Sequence, residues 1–381
     1  MNAPIDRDAH AHIYAPSPGL WGLAWRRLKT DRLAMGSLAV VTFFLLLMLA
    51  SISNLLARDW SREVGVNYAP PTWLGIQADA IDRNLPLPET QPGDEVPHNP
   101  LDPLASELAA LKAQLKSGSA TAPPDYGIAD PLAEDLEAIR TTQQILTPAT
   151  PQTRQATLPF GGDKWGRDIL QKTIKGSGTS IFVGLIAALI ATLIGTLLGA
   201  LAGYFGGWMD DLLNWFYSIF TSIPYLLLIL AIAAVMPKDK GLASIVLILG
   251  LTGWTGVFRL IRAEYLKHKS REYVLAADAL GASDARKMFV HIFPNVSHVA
   301  LVQLSLLVVG FIKAEVILSF LGFGVPVDAV SWGSMLNEAQ NELILGKWWQ
   351  LAAATLAMSL LVTAFSLLTD ALRDALDPKL K

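Results

Sequence analysis

Few side chains in this sequence are of a type and spacing that could do covalent chemistry. There is no cysteine, which removes disulfides, thiolate metal sites and a cysteine nucleophile. The six histidines are scattered, and none is paired at metal-ligand spacing. Gly346-Lys347 is the nearest approach to a phosphate loop, but its neighbours do not complete Gly-x-x-x-x-Gly-Lys-Ser/Thr. No Ser/His/Asp arrangement stands out. The sequence thus offers no ATP hydrolysis, no metal site and no other active site, and a net charge of −3 points to no polyanionic partner such as nucleic acid. What it does offer is chemistry of recognition. Residues 271–295, REYVLAADALGASDARKMFVHIFPN, form a polar stretch between two strongly apolar runs. Ser270 is placed to cap a helix beginning at Arg271, with Glu272 in its positive first turn. Ala276, Ala277 and Ala279 give a small-residue surface that another protein could approach closely. Gly281 falls where a helix stops in the left-handed conformation, Ser283 or Asp284 can cap a second helix, and Pro294 is placed to end it. Taken alone, this is either a linker or a docking element.

Two further groups carry charge or polarity beside apolar runs. Lys313 and Glu315 lie near the outer end of the fifth such run. Charges there snorkel to the interface, or Glu315 anchors an outer gate or an external docking surface. Trp332, Trp348 and Trp349 read as an interfacial aromatic belt, with Trp332 also a candidate contact at that outer gate.

The elements that must position these residues are set by composition. Of 381 residues, 52% are hydrophobic and 17% charged, and the apolar residues come in long runs, so the chain is a membrane protein. Uncharged runs at 33–57, 176–209, 212–236, 241–258, most of 296–323 (all but Lys313 and Glu315) and 350–369 predict six transmembrane helices. The first run is too long for a signal core and reads as an uncleaved anchor. Residues 1–32 form a polar tail followed by an aromatic, basic stretch (Arg26, Arg27, Lys29, Arg32) suited to a helix on the membrane surface, in contact with lipid. Five Lys/Arg precede the first span, seven lie in 259–295 and three follow Thr369, against Lys238, Lys240 and Lys347 in the opposite short loops. The positive-inside rule therefore puts both termini and the 259–295 loop in the cytoplasm. Lys164, Arg167, Lys172 and Lys175 run against that rule, at the end of a long outer loop. That loop, 58–158, repeats the phrase Asp-Pro-Leu-Ala at Asp102 and Asp130, with Leu101, Leu104, Leu108, Leu111 and Leu115 at spacings of three and four and Leu132, Leu136, Ile139 and Leu146 following much the same pattern. The pattern predicts two external helices within 77–153, as a packing insertion or a partner contact. The remainder, 159–381, is the core with the other five spans.

Longer phrases add a family resemblance. Glu272, Ala276, Ala277, Gly281 and Ile292-Phe293-Pro294 resemble the EAA loop of ABC-importer permeases. Gly161-Gly162-Asp163-Lys164-Trp165-Gly166-Arg167-Asp168 is similar to the Gly-Thr-Asp-x-x-Gly-Arg-Asp phrase of dipeptide/oligopeptide importers, with Gly162 in place of Thr. Tyr204-Phe205-Gly206-Gly207-Trp208-Met209-Asp210, Pro224, the run from Glu315 to Gly324, the run from Ser331 to Leu336, and Leu372-Arg373-Asp374-Ala375-Leu376-Asp377-Pro378 follow in the same order as in the second permease subunit of those importers. The resemblance covers roughly 20–57 and 159–381. Trp215 and Ser218 stand where the family carries Arg and Asp, the Pro-Gly at the start of the last span is replaced within 352–355, and the outer loop is longer than usual. The resemblance implies an all-α, six-span permease of the type I importer fold in a bacterial inner membrane. It implies a homologous permease partner, two ATPase subunits that bind ATP and Mg, and an extracytoplasmic binding protein that meets the outer gate. No cofactor is implied in this chain. Peptide is the implied cargo, with nickel chelate, glutathione or microcin-like cargo as alternatives within the fold and a passive gated channel as an alternative outside it.

Overall fold

The computed structural model describes residues 20–75, 154–236, 241–326 and 328–376. Among these the regular elements are helices. They are α1 Leu20–Thr30, α2 Arg32–Ile52, α3 Ile169–Phe205, α4 Gly207–Thr221, α5 Tyr225–Val235, α6 Leu242–Thr252, α7 Thr255–Lys269, α8 Glu272–Ala279, α9 Phe293–Phe320, α10 Trp332–Ile344 and α11 Trp349–Leu376. A turn at Asp284–Arg286 and a π-helical segment Lys287–Ile292 run directly into α9. The helices expected within 77–153 lie outside the described residues.

Among the described residues, five helical stretches are long and apolar enough to cross a membrane, at Arg32–Ile52, Ile169–Phe205, Leu242–Lys269, Asp284–Phe320 and Trp349–Leu376. A sixth is made only if α4 and α5 count together, and they are bent by 82°. The sequence pattern predicts one continuous span at 212–236. Pro224 breaks it, because proline disfavours a helical residue before it and supplies no N–H of its own. Pro224 stands as the N-cap of α5 instead. Outward-facing Leu46, Leu49, Leu193, Leu227, Leu356 and Leu360 are exposed, a surface suited to hydrocarbon and not to water.

α3 is the central element, packing against α2, α4, α6, α7, α9, α10 and α11. Asp168 caps its start by accepting from Leu170 N at 2.8 Å. Gly195, Gly199 and Gly203 recur every four residues along it and face α7. A Cβ at these positions would meet Trp254 O at 2.7 Å, Phe258 O at 2.7 Å and Arg262 O at 2.6 Å. Only glycine allows this close seam, the small-residue packing used between membrane helices. One buried cluster joins Ile181, Val183 and Ala187 of α3 to Leu249, Phe311, Ile312, Trp332 and Trp349. A second, at the end of α3 that carries the 270–292 loop, joins Ala200 and Tyr204 to Ile261, Tyr265, Val274, Met288 and Ile292.

Several boundaries shift from the sequence expectation. The first span ends at Ile52, before Asn54 and Ala57, which adopt left-handed backbone. Pro294 does not end a helix. The backbone continues helically from Asp284 to Phe320, because the π segment widens the turn and Phe293 N–H bonds Met288 O, five residues back. α10 was not expected, although Trp332, Met335 and Ala339 at spacings of three and four are all fully buried and Ser331 and Ser334 form a reciprocal capping box at its start.

Candidate functional site

The polar loop folds much as its residue types dictate. α8 starts at Glu272 with Arg271 as N-cap, one residue later than expected. Ser270 does not cap it, since its hydroxyl donates back to Lys267 O at 3.3 Å. The exit of α8 follows the expectation closely. Gly281 has φ +77°, Gly281 N–H bonds Asp278 O at 2.9 Å, and Ala282 N–H bonds Ala277 O at 3.0 Å. These are the paired bonds of a Schellman stop. Ser283 has extended N-cap backbone before Asp284 but makes no side-chain cap.

The alanine surface is divided. Ala276 and Ala279 are exposed, whereas Ala277 is buried with Val274 on the face of α8 turned to the chain itself. α8 packs on the π segment, so its rotation is fixed and only one edge of the small-residue patch is presented outward. Glu272 is exposed. His268 Nδ1 lies 2.8 Å from Tyr273 Oη, and burial raises the Tyr273 phenol above its ordinary range.

Sequence reasoning missed the side chains that hold this loop. Tyr204 Oη donates to Asp284 Oδ1 at 2.7 Å. Lys287 Nζ pairs with Asp284 at 3.0 Å and with Asp278 at 2.5 Å. Arg262 grips Asp210 with two bonds, Nε to Oδ1 at 2.5 Å and NH2 to Oδ2 at 2.6 Å, a bidentate geometry that fixes α7 against α4. Tyr204 and Asp210 are the two ends of the Tyr-x-Gly-Gly-x-x-Asp phrase, and Gly206 and Gly207 between them both have positive φ, making the turn from α3 to α4.

At the opposite end of α3 the structure separates residues that the sequence grouped. Glu315 is fully buried and does not snorkel. Ser180 Oγ donates to its Oε2 and Ser319 Oγ to its Oε1, each at 2.7 Å. These bonds satisfy the group inside the bundle. Lys313, two residues earlier, points to the exposed face and is not brought near it. Trp332 is not part of an interfacial belt. It is fully buried, its backbone N–H donates to Ser180 Oγ at 3.2 Å and its Nε1 to Thr173 O at 3.1 Å. Trp349 is likewise buried and donates to Gly162 O at 2.8 Å. Of the three, only Trp348 keeps an exposed ring, 5.7 Å from that of Trp73.

Of the basic residues that ran against the charge rule, Lys172, Arg167 and Lys175 have side chains tied into the fold. Lys172 is buried, with its Nζ 2.8 Å from Asp163 Oδ2, 2.5 Å from Glu338 Oε2 and 3.4 Å from Gln350 Oε1. Asp163 Oδ1 accepts from Trp165 N and Arg167 N, both at 2.9 Å, so this carboxylate shapes the turn in the Gly-Gly-Asp-x-x-Gly-Arg-Asp phrase. That turn is stitched to 63–72 by bonds such as Gly65 N to Gly166 O at 2.8 Å and Tyr68 N to Asp163 O at 2.9 Å. Arg167 lies over the Trp60 ring, 5.6 Å from its centre. Lys175 donates to Ser51 O at 3.0 Å and Asn54 Oδ1 at 2.8 Å. Glu342 accepts from Lys164 N at 3.2 Å through one oxygen and leaves the other buried without a partner. Burial, offset only in part by Lys172, pushes its carboxyl up to about 7.

Long apolar helices around a glycine-lined central span, with polar loops at either end, define a multi-pass helical membrane protein of the type I importer permease fold. The chain belongs to the family described as the binding-protein-dependent transport system inner membrane component, whose model matches residues 195–381. Residues 19–71 match a second model, the N-terminal transmembrane domain of oligopeptide transport permease C. The chain is 40% identical over 222 residues to a dipeptide transport system permease protein of Bacillus subtilis strain 168, covering 58% of this chain and 69% of the relative. It is 38% identical to an oligopeptide transport system permease protein of the same organism, covering 58% and 72%. It is 37% identical to a glutathione transport system permease protein of Salmonella paratyphi A, again covering 58% and 72%. The family resemblance drawn from the phrases is thereby borne out, and the chain is a permease subunit of an ABC importer.

Proposed function

We propose that this subunit forms, with a homologous permease, the pathway for di- and oligopeptides. An extracytoplasmic binding protein delivers them at the end carrying Trp332 and the Lys172 cluster. Two separate ATPase subunits, which hold the ATP and Mg, dock on the 271–294 loop at the opposite end. The membrane is the bacterial inner membrane, with both termini and this loop cytoplasmic. Transport proceeds by alternating access, in which docked ATPases move the loops and the helices rock as bodies. The observation that supports docking best is the Schellman exit at Gly281. It leaves α8 as a short, sharply terminated helix presenting Glu272 and Ala276 outward. Peptide as cargo rests on the names of the relatives, of which the dipeptide and oligopeptide permeases are among the most similar.

Gly281→Val tests docking. A Cβ there meets nothing within 4 Å, so the cost is backbone strain alone, about 1–3 kcal/mol. That misplaces the loop without disturbing spans whose backbone bonds are internally satisfied. Ala276→Glu adds bulk and charge on the outward edge. Ala277→Glu would instead disturb the loop from within. Both Gly281→Val and Ala276→Glu are expected to insert normally while losing most co-purifying ATPase and most uptake in vesicles. Full association and full uptake in both would show that the ATPase docks elsewhere.

A further inference from the structure

The docking loop is continuous in sequence with α7 before it and with α9 after it, so a pull on the loop reaches those helices through the backbone. α3 is different. It packs on α2, α4, α6, α7, α9 and α11, yet no short covalent path joins it to the loop. Its connection is made by side chains. Tyr204, in the last turn of α3, is buried, and its hydroxyl reaches Asp284 Oδ1 at 2.7 Å. The same oxygen is 3.0 Å from Lys287 Nζ, which is 2.5 Å from Asp278 Oδ1 in α8. Lys269 Nζ lies 5.5 Å over the Tyr204 ring. Three contacts in series thus cross from the docking helix to the end of α3.

These contacts are poorly suited to stabilising the fold. The Asp278 and Asp284 side chains are 64% and 59% exposed, and exposed ion pairs contribute little to stability. The Tyr204 ring is held independently, in the cluster with Val257, Tyr265, Val274, Met288 and Ile292, so its hydroxyl is not needed to keep it in place. What the hydroxyl adds is a short, directional bond between the second half of the loop and α3. The glycine seam already locks the loop-end half of α3 to α7 with no room for a Cβ, and Arg262–Asp210 fixes α7 to α4. The loop already packs on that body through Val274, Met288 and Ile292, and the Asp278, Lys287, Asp284 and Tyr204 chain adds its directional tie to α3.

We propose that this chain of contacts is a strut that makes the docking loop and the loop-end half of α3 move as one body, with Tyr204, Asp284 and Lys287 as positioning residues for transport. The inference rests on the docking reading above and adds the route by which motion of a docked ATPase reaches α3. The test uses the complete importer with its binding protein in proteoliposomes. It measures labelled tripeptide accumulated per ATP hydrolysed, beside the amount of ATPase that co-purifies. Tyr204→Phe keeps the ring and removes only the hydroxyl. It is expected to retain ATPase at the wild-type level and to lower peptide per ATP several-fold, a ratio that a merely structural role would not move. Asp284→Asn keeps an oxygen acceptor for Tyr204 and loses the ion pair, and should fall between the two. A wild-type ratio in Tyr204→Phe overturns the strut, as does a loss of co-purifying ATPase that accounts for the whole fall in uptake. Gly281→Val tells the two failures apart. If it sheds the ATPase while Tyr204→Phe transports normally, docking stands and the strut falls. If both variants keep the ATPase and full uptake, docking itself falls and the strut with it.

Discussion

Each end of α3 is tied down by a lysine held between two carboxylates, and the two arrangements differ chiefly in burial. At one end Lys172 is 1% exposed, between Asp163 at 0% and Glu338 at 27%. At the other, Lys287 is 12% exposed, between Asp278 and Asp284, which are mostly in solvent. The chemistry is the same and the consequences are opposite. A buried charge without its partner must be desolvated uncompensated, so the Lys172 cluster is a fixed part of the fold. An exposed pair trades water for a partner at little gain, so the Lys287 contacts can form and release at low cost. The rocking proposed above would draw on both, a rigid end and an end whose links can direct motion without freezing it.

Three substitutions would break or sharpen this contrast. The largest effect is expected from Lys172→Met, which keeps the side-chain length and leaves Asp163 buried without its cation. Stability should fall by about 3–5 kcal/mol, read as a lowered melting midpoint of the detergent-purified protein. A loss below about 1 kcal/mol, the size of an exposed pair, would erase the distinction between the two ends.

A smaller effect concerns Glu342, beside the same cluster. Its carboxyl is pushed from the ordinary 4.5 up to about 7, so the fold favours the protonated form. Below 4.5 both folded and unfolded chains hold the proton and the stabilisation is complete. As pH rises from 4.5 toward 7 the unfolded chain releases its proton first, stability falls, and the curve flattens above 7. Glu342→Gln should remove that part of the slope in a melting series from pH 4.5 to 8. An identical slope in wild type and variant would show that Glu342 is not the group concerned.

The smallest effect is expected from Lys287→Ala. Its melting midpoint should match wild type within error, while peptide accumulated per ATP falls. A clear drop in the midpoint would make the loop contacts part of the fold after all, and the two ends would be alike.

The parts of this picture legible in the sequence are those written in local backbone preference. Gly281 stops α8 in the left-handed region because glycine alone tolerates it freely. Gly206 and Gly207 turn the chain for the same reason. The spans could be read from uncharged runs because lipid leaves the backbone no partner but itself. Where a local signal had two outcomes, the reading failed. Pro224 and Pro294 are the same residue type, yet one breaks a span by 82° and the other is absorbed by a π turn. Which occurs depends on whether neighbouring helices support a widened turn, as Tyr265 does by donating to Met288 O at 3.2 Å.

The sequence by itself thus determined an apolar helical bundle, the family to which its phrases point, and the stop of α8. Only the tertiary structure decided which charged pairs are buried and which are exposed. Lys172 and its partner Glu338 are 166 residues apart, and Tyr204 and Asp284 are 80 apart, beyond the reach of any periodicity. Nor could spacing tell that Glu315 is buried under two serine hydroxyls while Lys313 is exposed. Nor could it tell that Ala277 faces inward while Ala276 faces out. Each of these depends on how a helix is rotated against its neighbours. That rotation is set by packing, through the glycine seam of α3 and the seat of α8 on the π segment, and not by the order of residues along one helix.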